Sequence, residues 1–295
     1  MVRVGVTSLA VLVLVSACGG PGIAESQSAE NPTPTRGDVQ IAAKDFEPSR
    51  FDRPTRIVNR WLPLKPGTRY VYVGGVTDEG RRLGHRVVMT VTDLTKLVSG
   101  VRTLVIDDRD YTGGHLVEAE LAFFAQDNDG NVWLFGEYPE EFEAGDFAGA
   151  PDTWIAGLQR ARPGILMRAH PRLGTSSYLQ GWAPTIEFAD RARVYKTGVS
   201  TCVPFHCYEG VLVTDEWNPD EPAAHQRKYY AAGVGNVRVG HSGDDPESET
   251  LALADLRQLG AREMERARLA ALRRERRAYA VSDDLYGRTS PAKRL

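Results

Sequence analysis

Several short constellations in this chain carry residue types that can do chemistry, and each falls short of what its reaction needs. Thr201-Cys202-Val203-Pro204-Phe205-His206-Cys207 places two thiols and an imidazole within seven residues. The thiols could close a small loop, or with His206 and His225 offer soft ligands to copper or zinc, although the spacing matches no metal motif. Asp127, Asp129 and Asn131 look like the start of a calcium loop. An EF-hand needs Gly at its sixth position and Glu at its twelfth, where Val132 and Tyr138 stand. Asp127-Asn128-Asp129-Gly130 is read instead as a hairpin turn. Gly240-His241-Ser242-Gly243-Asp244 misses the last position of a nucleophile elbow, and Gly233-Val234-Gly235 lacks the third glycine of a dinucleotide site. Asp107, Asp108, Asp110, Glu137, Glu140 and Glu141 are read as solvated loop charge, and His85, His115 and His170 as surface or packing residues. No catalytic residue, metal ligand or cofactor is assigned.

The elements that would position these groups are mostly short strands. Arg69 to Val73 alternates aromatic and β-branched residues, and Val87 to Thr92 and Val101 to Ile106 follow. Leu116 to Gln126 and Asn131 to Glu137 flank the Asp127 turn. Phe147 to Gly174 is interrupted by Pro151, Pro163 and Pro171 and supports no long element. Strands resume at Ser176 to Trp182, Ile186 to Tyr195, Val199 to Val203, Tyr208 to Trp217, Gln226 to Ala231 and Asn236 to Val239. Closely spaced strands with turn signals indicate an antiparallel all-β domain. Beyond His241 the reading changes. Asp245 and Pro246 supply a helix start, and Leu251 to about Tyr279 reads as one basic helix. Its thin apolar stripe is Leu253, Leu256, Met264, Ala267 and Ala271, broken by Gly260. Glu263 with Arg266 and Glu265 with Arg268 are spaced for surface ion pairs.

The first residues supply an address. Arg3 precedes the apolar run Val4 to Val15, which is too short to span a bilayer and fits a secretory signal. Val15-Ser16-Ala17-Cys18 resembles the lipobox of bacterial lipoproteins. That resemblance implies cleavage before Cys18, lipid on its thiol, and a location on the outer face of the cytoplasmic membrane, or on an outer membrane if there is one. Two acyl chains hold a protein stably where one does not. An oxidising compartment makes a disulfide the expectation for the remaining pair, Cys202 and Cys207. The sequence then divides into a signal peptide (1–17), a Gly/Pro/Ser-rich tether (18–50), a β domain (51–240) and a basic helix with its tail (241–295). Within the tether, Val39-Gln40-Ile41 could add an edge strand. A tether of this length reaches roughly 30 Å.

A second resemblance covers Asn59 to Val239. Asn59-Arg60-Trp61-Leu62-Pro63-Leu64-Lys65-Pro66-Gly67-Thr68-Arg69-Tyr70-Val71-Tyr72, Ala125-Gln126-Asp127-Asn128-Asp129-Gly130-Asn131-Val132-Trp133 and Lys228-Tyr229-Tyr230-Ala231-Ala232-Gly233-Val234-Gly235 are similar to stretches of a group of uncharacterised exported bacterial proteins. The resemblance implies a mainly β fold, a single strongly curved antiparallel sheet like a half-barrel, to which the C-terminal helix is an addition. It carries no activity.

These readings converge on a non-enzymatic, lipid-anchored envelope protein. Net charge is −3 and 30 of the 36 basic residues are arginine, which gives no global attraction to nucleic acid. A curved sheet could leave a concave apolar face for a lipid or other hydrophobic ligand. Trp61, Tyr70, Tyr72, Trp133, Phe135, Trp182, Trp217 and Tyr230 are the candidate contacts. An anionic envelope polymer is the other expected partner. The alternatives are an extracytoplasmic hydrolase with an unrecognised carboxylate or metal site, and a structural protein acting through the basic helix.

Overall fold

The computed structural model describes residues 46–295. The signal segment, Cys18, most of the expected tether and its Val39-Gln40-Ile41 stretch lie outside the described residues. The strands, in chain order, are β1 (Thr68–Asp78), β2 (Arg81–Val98), β3 (Val101–Thr112), β4 (His115–Gln126), β5 (Val132–Glu143), β6 (Asp146–Gly149), β7 (Trp154–Ile155), β8 (Arg162–Met167), β9 (Tyr178–Leu179), β10 (Gly181–Trp182), β11 (Arg191–Cys202), β12 (Cys207–Trp217), β13 (Ala224–Ala231), β14 (Gly235–Gly243), β15 (Thr250–Gln258) and β16 (Lys293–Arg294). Helix α1 (Ala261–Val281) and the single turn α2 (Asp283–Tyr286) lie between β15 and β16.

Local turn chemistry explains the first half. The β1–β2, β2–β3 and β3–β4 connections are two residues long, and both residues take positive φ: Glu79 and Gly80, Ser99 and Gly100, Gly113 and Gly114. Such turns match the twist of the strands they join, so a meander follows directly. The Asp127 turn is a hairpin as expected. Asp127 accepts from the Asn131 backbone N–H, the Asn131 side-chain amide and Trp133 Nε1, each at 2.8 Å.

The pairing order is β10-β8-β5-β4-β3-β2-β1-β15-β14-β13-β12-β11-β9, antiparallel throughout. The two ends of this order are consecutive in sequence. Tyr178 and Leu179 pair with β11, Gly181 and Trp182 pair with β8, and the sheet is thereby an almost closed barrel. Gly164 permits the closure: a Cβ there would lie 2.4 Å from the Gln180 carbonyl carbon and 2.5 Å from the Gly181 nitrogen. The expected strand from Ile186 to Tyr195 begins only at Arg191 and runs on to Cys202, with register shifts after Val194, Lys196 and Val199.

Other boundaries also differ from the sequence reading. Phe46 already packs on Phe51, Trp133 and Phe135, because two aromatics together bury enough surface to hold the segment. Leu251 to Gln258 is strand β15, not helix. Leu and Ala favour helices locally, but Leu251 and Leu253 alternate onto the core and β15 fills the place between β1 and β14. Gly260 stands just before α1 rather than inside it, and the Glu263 carboxylate accepts from its backbone N–H. Asp245 caps no helix; it lies in the β14–β15 turn, accepting from the Glu247 N–H. The ion pairs also differ, with Glu263 joined to Arg257 and Arg268 to Asp93.

Candidate functional site

The inner face of the barrel is packed. Leu62, Leu64, Tyr70, Tyr72, Met89, Leu166, Lys228 and Tyr230 surround a cavity of about 30 Å³, enough for one or two waters. The Tyr70 hydroxyl donates to the Val234 carbonyl at 3.1 Å, and the Tyr72 hydroxyl to the Asn236 carbonyl at 2.9 Å.

The interior also holds acids expected from the sequence to lie in solvent. Strand alternation sends Asp108 and Asp110 inward from β3, facing Glu120 and Glu118 across the ladder to β4. All four are buried, as are Glu137, Asp190 and Glu216. Burial, then the charge of Glu120, holds Asp108 well above the ordinary carboxylate range, and the same two causes raise Glu137, which accepts from Trp154 Nε1 at 2.8 Å. Burial lifts Asp190 to about 8 against the pull of Lys228. Glu216 is paired with Lys228 at 2.7 Å and accepts from the Thr214 hydroxyl.

His85 is likewise no surface residue. Its Nε2 lies 2.5 Å from Asp110, and its Nδ1 lies 3.2 Å from Glu249. Burial opposes the imidazolium, but the hydrogen bond to Asp110 and the Glu249 carboxylate beside the ring outweigh it and push the pKa to about 10. Asp110 itself is raised to about 6 by burial. These acids and His85 are buried and do not line the cavity, whereas Lys228 does.

Outside, the barrel has two unlike faces. Over β2–β5, α1 lays Ala267, Ala271 and Ala278 on the sheet together with Arg274 and Glu275. Glu275 pairs with Lys96 at 2.8 Å, beneath the rings of Tyr279 and Tyr286. Arg274 joins Asp107 and Glu140, so α1 covers two acids that the sequence reading expects as solvated loop charge.

Over β11–β14, among the described residues, no helix lies on the sheet, and the outward side chains form cross-strand rows. Arg193, Asp215, Arg227 and Gly240 are successive partners, as are Lys196, Val213, Tyr229, Arg238 and Ala252. Asp215 has no exposed side-chain surface. Arg193 grips it through Nε and Nη2 at 3.0 and 2.7 Å, Arg227 lies 3.1 Å away, and His225 Nδ1 2.9 Å. The same cations rest on rings: Arg193 on Trp217, Arg227 on Tyr195 at 3.6 Å and Arg238 on Tyr229. His225 stacks on Trp217. In these rows Arg193, Lys196, Arg227 and Arg238 outnumber one acid, so the face is cationic and aromatic. Such a surface can engage phosphates or carboxylates through guanidinium groups.

The eight aromatics singled out from sequence do not converge. Tyr70, Tyr72 and Tyr230 meet at the small cavity. Trp133 and Phe135 pack with Phe46 and Phe51 at the Asp127 end of the barrel. Trp61 lies under Arg60, and Trp182 under Arg162 near the closure. Trp217 belongs to the open outer face. The period-two spacing of Asp215 with Trp217, and of His225, Arg227 and Tyr229, was the available signal for that face, but the register joining the strands was not legible. Cys202 and Cys207 form a disulfide across the β11–β12 turn, so neither thiol is a metal ligand.

No family model and no curated protein matches the sequence. Two solved structures are similar to it. One is a Bacteroides fragilis protein described as exported, with a YmcC-like fold, 13% identical, covering 68% of this chain and 100% of its own, with a TM-score of 0.38. The other is a Parabacteroides distasonis protein described as a lipoprotein, 12% identical, covering 68% of this chain and 99% of its own, with a TM-score of 0.36.

Proposed function

We propose that this is an exported protein, held to the membrane by lipid on Cys18, whose barrel binds an anionic envelope polymer on the open outer face of β11–β14. The carrying observation is the filled interior. A ligand site for a lipid-sized molecule occupies ~300–1,000 Å³, whereas among the described residues the cavity lined by Tyr70, Tyr72 and Tyr230 is about 30 Å³. Binding therefore belongs outside, where the Arg193, Lys196, Arg227 and Arg238 rows combine positive charge with rings. The Cys202–Cys207 disulfide supports the exported setting, since such bonds persist in oxidising compartments. Among the described residues, the buried carboxylates lie inside the barrel and do not line its small cavity.

The test uses the mature chain with Cys18→Ser, sedimented with cell walls isolated from the producing bacterium, before and after extraction of their anionic polymers. Binding is expected only to the unextracted walls, falling with salt. It is expected to weaken roughly tenfold in Lys196→Gln/Arg238→Gln, from about 1–1.5 kcal/mol for two charge-assisted contacts. Equal binding by the variant, or to extracted walls, overturns the reading. In cells, Cys18→Ser is expected to be released in soluble form, and retention in the membrane fraction refutes the anchor.

A further inference from the structure

The outer surface of α1 is sorted by charge in a way its packing does not require. Its inward charges are all answered: Arg268 by Asp93, Arg274 by Asp107 and Glu140, Glu275 by Lys96. Its acid Glu263 is tied to Arg257 at the first turn. On the side facing solvent stand Arg262, Arg266, Leu269, Arg273 and Arg276, all exposed. Their spacing of four, three, four and three places them within an arc of about 80° and along about 21 Å of helix. Glu265 flanks this stripe, and Asp283 and Asp284 lie beyond the helix end. Among the described residues, none of the four arginines is joined to an acid by an ion pair. Leu269, about half exposed, sits at the centre.

The strand order adds a second fact. The helix covers β2–β5, and the cationic rows occupy β11–β14. Between them lie β1 and β15 on one side and β8, β10 and β9 on the other. The two surfaces are therefore close to opposite around the barrel.

We infer that the arginine stripe of α1 is a docking surface for anionic phospholipid headgroups, laying the helix flat on the membrane and turning the β11–β14 face away from it. A regular row of guanidinium groups matches a plane of phosphates, and a central leucine can enter the interface. The lipid proposed on Cys18 would hold the domain near the bilayer, so modest affinity suffices. The inference extends that anchoring, yet its test needs no lipid on the protein. Each basic residue near an anionic surface strengthens binding about fivefold.

The mature chain with Cys18→Ser is to be sedimented with vesicles of pure phosphatidylcholine and with vesicles containing phosphatidylglycerol. Binding is expected to the anionic vesicles alone and to fall with salt. In Arg262→Gln/Arg266→Gln/Arg273→Gln/Arg276→Gln it is expected to drop at least tenfold with an unchanged melting temperature, while Lys196→Gln/Arg238→Gln leaves vesicle binding intact. Equal vesicle binding by the quadruple variant overturns the inference, as does equal binding to both vesicle types. Loss of cell-wall rather than vesicle binding in the quadruple variant would assign the stripe to the polymer and overturn it also. Failure of the Lys196/Arg238 test on cell walls, with vesicle behaviour as expected, would remove the proposed function and leave the docking surface standing.

Discussion

The two outer faces of the barrel are built from the same parts and differ in cover. On the α1 side, Asp107 and Glu140 meet Arg274, and Lys96 meets Glu275 among tyrosine rings. On the β11–β14 side, Asp215 meets Arg193, Arg227 and His225 among Trp217 and Tyr195. Lys96 has no exposed side-chain surface, whereas Arg193 is 51% exposed. Arginine, acid and ring thus serve as an internal clamp when a helix seals them, and as a surface when none does. Burial, rather than residue type, separates the two uses.

The sharpest break of that contrast is Glu275→Ala. It strands the Lys96 ammonium in a low-dielectric site, and loss of one partner of a buried pair costs about 3–5 kcal/mol. Thermal melting should show a drop of many degrees, largely recovered by adding Lys96→Met. A loss below 1 kcal/mol would place the covered face in the same class as the open one.

The interior supplies a second break, through pH. His85 and Asp190 both bind their protons more tightly folded than unfolded, at about 10 and about 8. The native state then holds more protons than the unfolded state, so stability falls as pH rises. For His85 the contribution is complete below about 6.5 and gone above about 10. Denaturant titrations from pH 6 to 10 should lose on the order of a few kcal/mol, and His85→Gln should flatten the decline. A stability that rises over this range would contradict the protonated interior.

Smaller effects belong to the open side. Cys202→Ser/Cys207→Ser removes a constraint on a short loop and should lower stability by about 2 kcal/mol. Arg193→Gln should cost under about 1 kcal/mol, since Asp215 keeps Arg227 and His225 and the lost pair is half in water. If Arg193→Gln proves as damaging as Glu275→Ala in the same melt, the open face is structural and the division between the faces fails.

Much of the frame was legible locally. The Asp127 turn announced a hairpin, and alternation at Arg69 to Val73 and Val87 to Thr92 announced strands. The curved antiparallel sheet and the long C-terminal helix are both present. The candidate sites were less legible. Asp108, Asp110 and His85 sit in runs too polar to suggest a barrel interior, because the groups that answer His85, Asp110 and Glu249, are 25 and 164 residues away. The β15 segment reads as helix when judged by its leucines and alanines alone.

The sequence by itself determined what depends on a few adjacent residues: the turns whose residues accept left-handed backbone, the alternating strands they join, and the pair of cysteines close enough to bond. The tertiary structure alone decided that 178–182 closes the sheet, that β15 pairs with β1, and that the acids go inside. It also decided that one arginine-rich surface is sealed to the barrel and two remain open. The reason is range: turn geometry is set by the φ and ψ of neighbouring residues, whereas burial and charge pairing are sums over partners brought together from the whole chain.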